Sequence, residues 1–245
     1  MEKKYIYTHC NSNRDDFYTQ VNNERDPYIA CFPTSMINWA KINKITLPDP
    51  MDYSKSGGYK QPEDQFDWFM HNNEEVTAYV NDLRSSTPWI RQYIDHNGGD
   101  IRELWDVEVY AFNKWVGNVV AKVNYNLSVK DILYEIQRGR AIVTSGCFCG
   151  FSHAITIVGF KSEFESVLAD KNIDLIGDNL SYEVDDNRIV LKEFIHLDSY
   201  GNPNKNYKPI GIDGFDVTMN KDKFLFCINK SDDSEKPVYY GIVLL

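Results

Sequence analysis

Cys31 opens the run Cys-Phe-Pro-Thr-Ser-Met-Ile-Asn-Trp-Ala (31–40), a setting suited to nucleophilic chemistry. Pro33 fits the first turn of a helix, so the run predicts a helix that begins at the cysteine. A thiol placed there meets unpaired backbone N–H groups and the positive end of the helix dipole. Both favour the thiolate, the form that attacks a carbonyl carbon. His153 stands at the mouth of the apolar run Ala-Ile-Thr-Ile-Val-Gly-Phe (154–160), and Asp198 follows Ile-His-Leu (195–197). An imidazole can take up and return a proton during acyl transfer, and a third polar group fixes its tautomer. Cys31 is therefore the candidate nucleophile, His153 the acid–base and Asp198 the orienting carboxylate. The backbone N–H of Cys31 and the side-chain amide of Gln20 are the candidate donors to a developing oxyanion.

Each residue also has an ordinary reading. A free cysteine is commonly a small buried hydrophobe. A histidine at a strand start is often a polar residue at the sheet rim, and Asp198 ahead of Ser-Tyr-Gly would serve as a turn initiator. Their conjunction in a workable order distinguishes the catalytic reading: helix-start thiol, strand-entry imidazole, strand-exit carboxylate.

The elements that must position these groups divide the chain. Residues 1–30 read as polar and turn-rich. The helix from Pro33 to about Ile45 carries Met36, Ile37 and Ala40 on one side, and Leu47-Pro48-Asp49-Pro50 ends it. Helical segments are predicted around Phe66–Phe69 and Val76–Leu83, with a turn at 97–100. Val109, Phe112, Val116 and Val119 recur at helical spacing over 104–120. Ser128-Val129-Lys130-Asp131 matches a capping box, with Ile132, Leu133 and Ile136 behind it and Gly139 as the stop. Residues 141–144, 153–160 and 188–197 read as strands, with a loop at 145–152 between the first two. Two more strands are predicted at 223–228 and 238–244. Helices crowd the first half and strands the second, the α+β pattern. The expected arrangement is a helical N-terminal lobe packed on an antiparallel β-sheet, with a cleft between. One domain spans 1–245, with a helical insertion at about 51–125 and an acidic arm at about 161–187.

Three segments resemble the papain-fold cysteine peptidases related to the bacteriocin-processing double-glycine peptidases, especially their stand-alone and phage-borne members. These are Gln20-Val21-Asn22-Asn23 with Cys31-Phe32-Pro33-Thr34-Ser35, then 136–143 with His153–Gly159, then Leu197-Asp198-Ser199-Tyr200-Gly201-Asn202. The resemblance covers roughly half the chain. It implies a papain-like fold, with Gln20 helping to build the oxyanion hole and Cys31, His153 and Asp198 as catalytic residues. Phe32 stands where that family usually has glycine, and Ser199 where it often has proline. Phe32 beside the nucleophile bears on substrate range, and Tyr200 and Tyr207 are the further candidates for substrate contact.

Composition narrows the partners. A formal charge of −10 over 245 residues argues against a nucleic-acid binder, which needs a basic face. No apolar stretch approaches the ~20 residues of a membrane span. The first ten residues lack an apolar signal-peptide core, so the expected location is cytoplasmic, with release to a cell wall as a further option. Five scattered cysteines do not form a disulfide framework. Cys147-Phe148-Cys149 is a poor zinc pair, since no second pair follows at finger spacing. His9-Cys10 is a weak alternative dyad. His196, on the same face as Asp198 by strand alternation, is the runner-up imidazole. His71 and His96 read as solvated.

The expectation is thus a cysteine peptidase that needs no cofactor. The phage-borne resemblance implies a peptidoglycan endopeptidase of endolysin type. The alternatives are a cytosolic processing peptidase or toxin, an acyl-transferring enzyme with the same thiol, and a degenerate peptide- or glycan-binding module.

Overall fold

The computed structural model describes residues 3–10, 12–25, 27–88, 90, 104–165, 189–210, 213–230 and 237–245. His96, the expected turn at 97–100 and residues 166–187 of the expected acidic arm lie outside them.

The architecture is α+β. Strand β1 (Lys3–His9) precedes helices α1 (Cys31–Ile42), α2 (Tyr53–Ser56), α3 (Pro62–Asn72) and α4 (Glu74–Ser86). Helix α5 (Trp105–Val116) follows, then β2 (Ala121–Leu127), α6 (Val129–Gln137), β3 (Ile142–Phe148) and β4 (Phe151–Glu165). The chain closes with β5 (Ile189–Leu197), β6 (Val217–Asn220), α7 (Lys221–Ile228) and β7 (Tyr239–Leu244). All strand pairs are antiparallel, in the order β2-β7-β3-β4-β5-β6. β1 continues the edge of β4 beyond the end of β3, with His9 opposite Gly159 and Ile142 opposite Ile157.

Local signals explain several boundaries. The Ser128 side chain accepts from the Asp131 N–H while Asp131 accepts from the Ser128 N–H, so the expected capping box starts α6. Asn73 stops α3 and starts α4, its side chain accepting from the N–H groups of Glu75 and Val76. Gly117, in the left-handed region, ends α5 four residues earlier than the apolar repeat suggested.

Four expectations are corrected. Residues 3–9 form a strand, because β4 offers them a free edge. Residues 121–127 pair with β7, so the last part of the supposed helical insertion belongs to the sheet. The stretch 145–152 is no loop: β3 runs on to Phe148, and Cys149 and Gly150, both at positive φ, turn directly into β4. Residues 223–228 lie in a helix. Asn220 caps it, and its Phe224 and Ile228, four apart, are fully buried while Phe226 is exposed. Aromatic strand propensity lost there to the packing of Phe224 on Phe194 and Phe148.

Helix α1 lies against β4, and two hydrogen bonds fix their register. Ser35 Oγ donates to the Ala154 carbonyl at 3.0 Å, and Thr156 Oγ1 donates to the Ser35 carbonyl at 3.0 Å. Ser35 is one helical turn after Cys31 and Ala154 is next to His153, so these bonds set thiol against imidazole. Three residues after Ser35, Asn38 grips the Tyr18 backbone through both its N–H and its C=O, at 2.8 and 3.0 Å. That clamp carries the segment bearing Gln20.

Candidate active site

Cys31 is the first residue of α1, half-buried at the floor of a cleft of about 770 Å³. The helix N-terminus has no side-chain cap and no acidic residue in its first turn, so its N–H groups are available to a thiolate. The Cys31 thiol is held below its ordinary value. Burial by itself would raise it, but the hydrogen bond and charge of His153 and the N–H groups of Ala154 and Phe32 outweigh that. Cys10 and Cys227 move the opposite way, Cys10 up to about 12, because burial dominates there.

His153 is buried, and its Nε2 lies 2.8 Å from Asp198 Oδ1. With Nε2 so engaged, Nδ1 is the ring nitrogen left for the thiol. Burial disfavours the imidazolium. The carboxylate of Asp198 and the hydrogen bond to Cys31 override it and hold His153 protonated well above the usual histidine range. The arrangement is a thiol and an imidazole that favour each other's charged forms, braced by the buried carboxyl group of Asp198.

Asp198 has no exposed surface. Oδ1 also accepts from the Tyr200 N–H at 3.0 Å, and Oδ2 accepts from the Tyr207 hydroxyl at 3.1 Å. Its own N–H donates to the Gly214 carbonyl at 2.8 Å.

Gln20 is buried, and its contacts are bracing ones. Its N–H donates to the Ser199 carbonyl at 3.0 Å, and its Oε1 accepts from Ser199 Oγ at 2.7 Å. Its Nε2 donates to the Pro27 carbonyl at 3.0 Å. Ser199 thus ties the residue after the carboxylate to Gln20. Gln20 does not line the cleft, so the oxyanion contact expected of it has no counterpart in this lining.

The cleft is lined by Tyr28, Ile29, Tyr59, Asp67 and His71 together with Trp105 and Ser145. Phe32 lines the cleft and packs edge-on against Trp105 at 5.8 Å. The two tyrosines differ in exposure. Tyr207 is buried and Tyr200 half-buried, and neither lines the cleft, because the 199–207 loop folds back over Asp198 instead of outward. His71 is corrected: its Nδ1 bonds the Asp67 carbonyl at 2.8 Å, and Asp67 in turn pairs with Arg25. Sequence reasoning missed this triplet, since residues 25 and 67 meet only in the fold. Among the described residues no group of three or more metal-ligating side chains converges. His9 bonds Asp216 at 2.9 Å while Cys10 is buried, so they form no dyad.

His196, the runner-up imidazole, is fully buried between Phe148 and Phe224, and neither ring nitrogen has a hydrogen-bond partner among the described residues. Burial pulls it down to about 4, against the opposing charge of Asp198. Between pH ~6.5 and that value the unfolded chain binds a proton that the folded chain refuses, so acidification through this window removes stability. Replacing His196 by leucine is expected to raise the melting temperature at pH 5 by more than at pH 8. Equal shifts at both pH values would show that the ring does not titrate as described.

Comparison of the chain with protein-family models, with curated proteins and with solved structures returns no match. Among the described residues no helix is long and apolar enough to cross a membrane.

Proposed function

We propose that the chain is a papain-like cysteine peptidase that hydrolyses a peptide bond through an acyl-enzyme on Cys31. The observation that carries this reading is the relay from Cys31 through His153 to the buried Asp198, with the thiol lowered and the imidazole raised. A thiolate attacks the carbonyl carbon and the C–N bond breaks as His153 passes its proton to the leaving amine. Water then adds to the thioester, giving up a proton to the imidazole, and the thiolate departs. The carboxylate holds the ring in one tautomer throughout. The N–H groups at the start of α1 supply the donors for the oxyanion, and Gln20 braces Ser199, the residue after Asp198, from behind the site.

The substrate in this reading is a peptide cross-link or stem of peptidoglycan, as the resemblance to phage-borne peptidases implies. A cleft of this volume with aromatic walls is compatible with such a chain. The test is release of new amino groups from purified peptidoglycan and, in parallel, from a mixed peptide library. The intact chain releases amines and the Cys31→Ala variant releases none. Release by the alanine variant would end the reading, whereas cleavage of the library alone would move the substrate to protein processing.

A further inference from the structure

We propose that Tyr207 is a positioning residue for the reaction at Cys31: its hydroxyl holds the second oxygen of the Asp198 carboxylate and thereby fixes the imidazole presented to the thiol. The inference rests on the peptidase reading above and assigns the tyrosine a task behind the site instead of at the substrate.

Three observations carry it. First, Asp198 is fully buried, and its two oxygens are divided between donors. His153 and the Tyr200 N–H take Oδ1, while the Tyr207 hydroxyl is the one donor to Oδ2 among the described residues. Second, the tyrosine is held there at a conformational cost. Asn206 and Tyr207 sit consecutively in the left-handed region, at φ 51 and 54, which non-glycine residues rarely adopt. Backbone strain of this kind persists where surrounding contacts over-determine it, and it concentrates at functional sites. Third, those contacts come from the element that bears the imidazole. Phe151, two residues before His153, stacks on the Tyr207 ring at 5.7 Å, and Tyr207 meets the His153 ring edge-on at 5.9 Å. The Cys149 thiol at the β3–β4 turn donates to the Pro203 carbonyl at 3.1 Å, pinning the loop that carries the tyrosine.

The titratable groups around this carboxylate are His153 and His196 from the two strands, Tyr207 itself, and Cys31 through His153. Cys149 and Cys227 lie next to Tyr207. Without the tyrosine hydroxyl, one oxygen of the buried carboxylate loses its partner, and the group is free to turn away from the imidazole. A displaced carboxylate supports the imidazolium less well, so the thiolate is lost at a higher pH.

The experiment is the pH profile of Cys31 alkylation by iodoacetamide in the full chain and in Tyr207→Phe, read by peptide mass spectrometry to separate the other cysteines. The expected result is an acid limb moved up by about one pH unit, and a rate at pH 5 lowered roughly tenfold. In an Asp198→Asn background the same substitution should change the rate by less than about twofold, since the tyrosine acts through the carboxylate. Superimposed profiles from a folded Tyr207→Phe chain would overturn the proposal, as would an equal loss in the Asp198→Asn background. Should Tyr207→Phe fail to fold, Phe151→Leu frees the ring while keeping the hydroxyl and carries the same two outcomes. An unsubstituted chain with no acid-reactive Cys31 would overturn the parent reading and this one together.

Discussion

Replacing His153 by alanine is expected to slow alkylation of Cys31 at pH 5.5 by on the order of a hundredfold. An ordinary cysteine with a pKa near 8.5 is about one part in a thousand thiolate at that pH. The imidazole and the charge it carries raise that fraction, and the lower nucleophilicity of a stabilised thiolate gives back part of the gain. Without the imidazole only the N–H groups of Ala154 and Phe32 remain to oppose burial, which pushes the thiol upward. The difference should shrink as the pH approaches 9, where any thiol ionises. Cys147 and Cys149 are exposed, so the rate must be read on the peptide containing Cys31. Equal rates for both chains at pH 5.5 would mean that His153 does not hold the thiolate, and the relay would be lost with it. Peptide hydrolysis should fall further, by about 10²–10⁴, because the leaving amine also loses its proton donor.

The second large effect is expected at a residue that touches neither cleft nor thiol. A Cβ on Gly214 would lie 2.0 Å from the Asp198 carbonyl oxygen and 3.3 Å from the Gly201 Cα. The obstacle is backbone, not the end of a flexible side chain, so the chain itself must move. The Gly214 carbonyl simultaneously accepts the Asp198 N–H at 2.8 Å, and that bond pulls the two segments together. Gly214→Ala should therefore cost about 2–3 kcal/mol of stability, seen as a lower denaturation midpoint. It should also displace the carboxylate from His153, lowering kcat/KM at least about tenfold at temperatures where the variant is folded. A folded variant with an unchanged acid limb of Cys31 alkylation would show that Asp198 tolerates the shift.

These two positions illustrate how differently the parts of the site were legible. His153 announced itself by standing before a β-branched run, and Cys31 by the proline two residues on. Both are local signals. Gly214 carries none, because its importance lies in a contact with a residue sixteen positions away that no periodicity encodes. Tyr207 was legible as an aromatic near the carboxylate, yet its direction was not. Substrate contact and support of Asp198 call for the same residue type, and only the left-handed backbone at 206–207 turns the ring inward. Gln20 and Ser199 likewise meet across a long stretch of chain through a 2.7 Å hydrogen bond.

The sequence by itself determined the local elements. The start of α1 follows from Pro33, the start of α6 from its capping box, and the apolar core of β4 from its β-branched residues, since each rests on neighbours within one turn or a few strand positions. The order of cysteine, histidine and aspartate was likewise visible without coordinates. Only the tertiary structure decided that 3–9 is a strand and 221–228 a helix, because sheet edges and core faces are supplied by distant segments. It also decided the site's electrostatics. The thiol and imidazole shifts arise from burial and from three groups meeting across more than 160 residues, and their size depends on distances that no linear pattern contains.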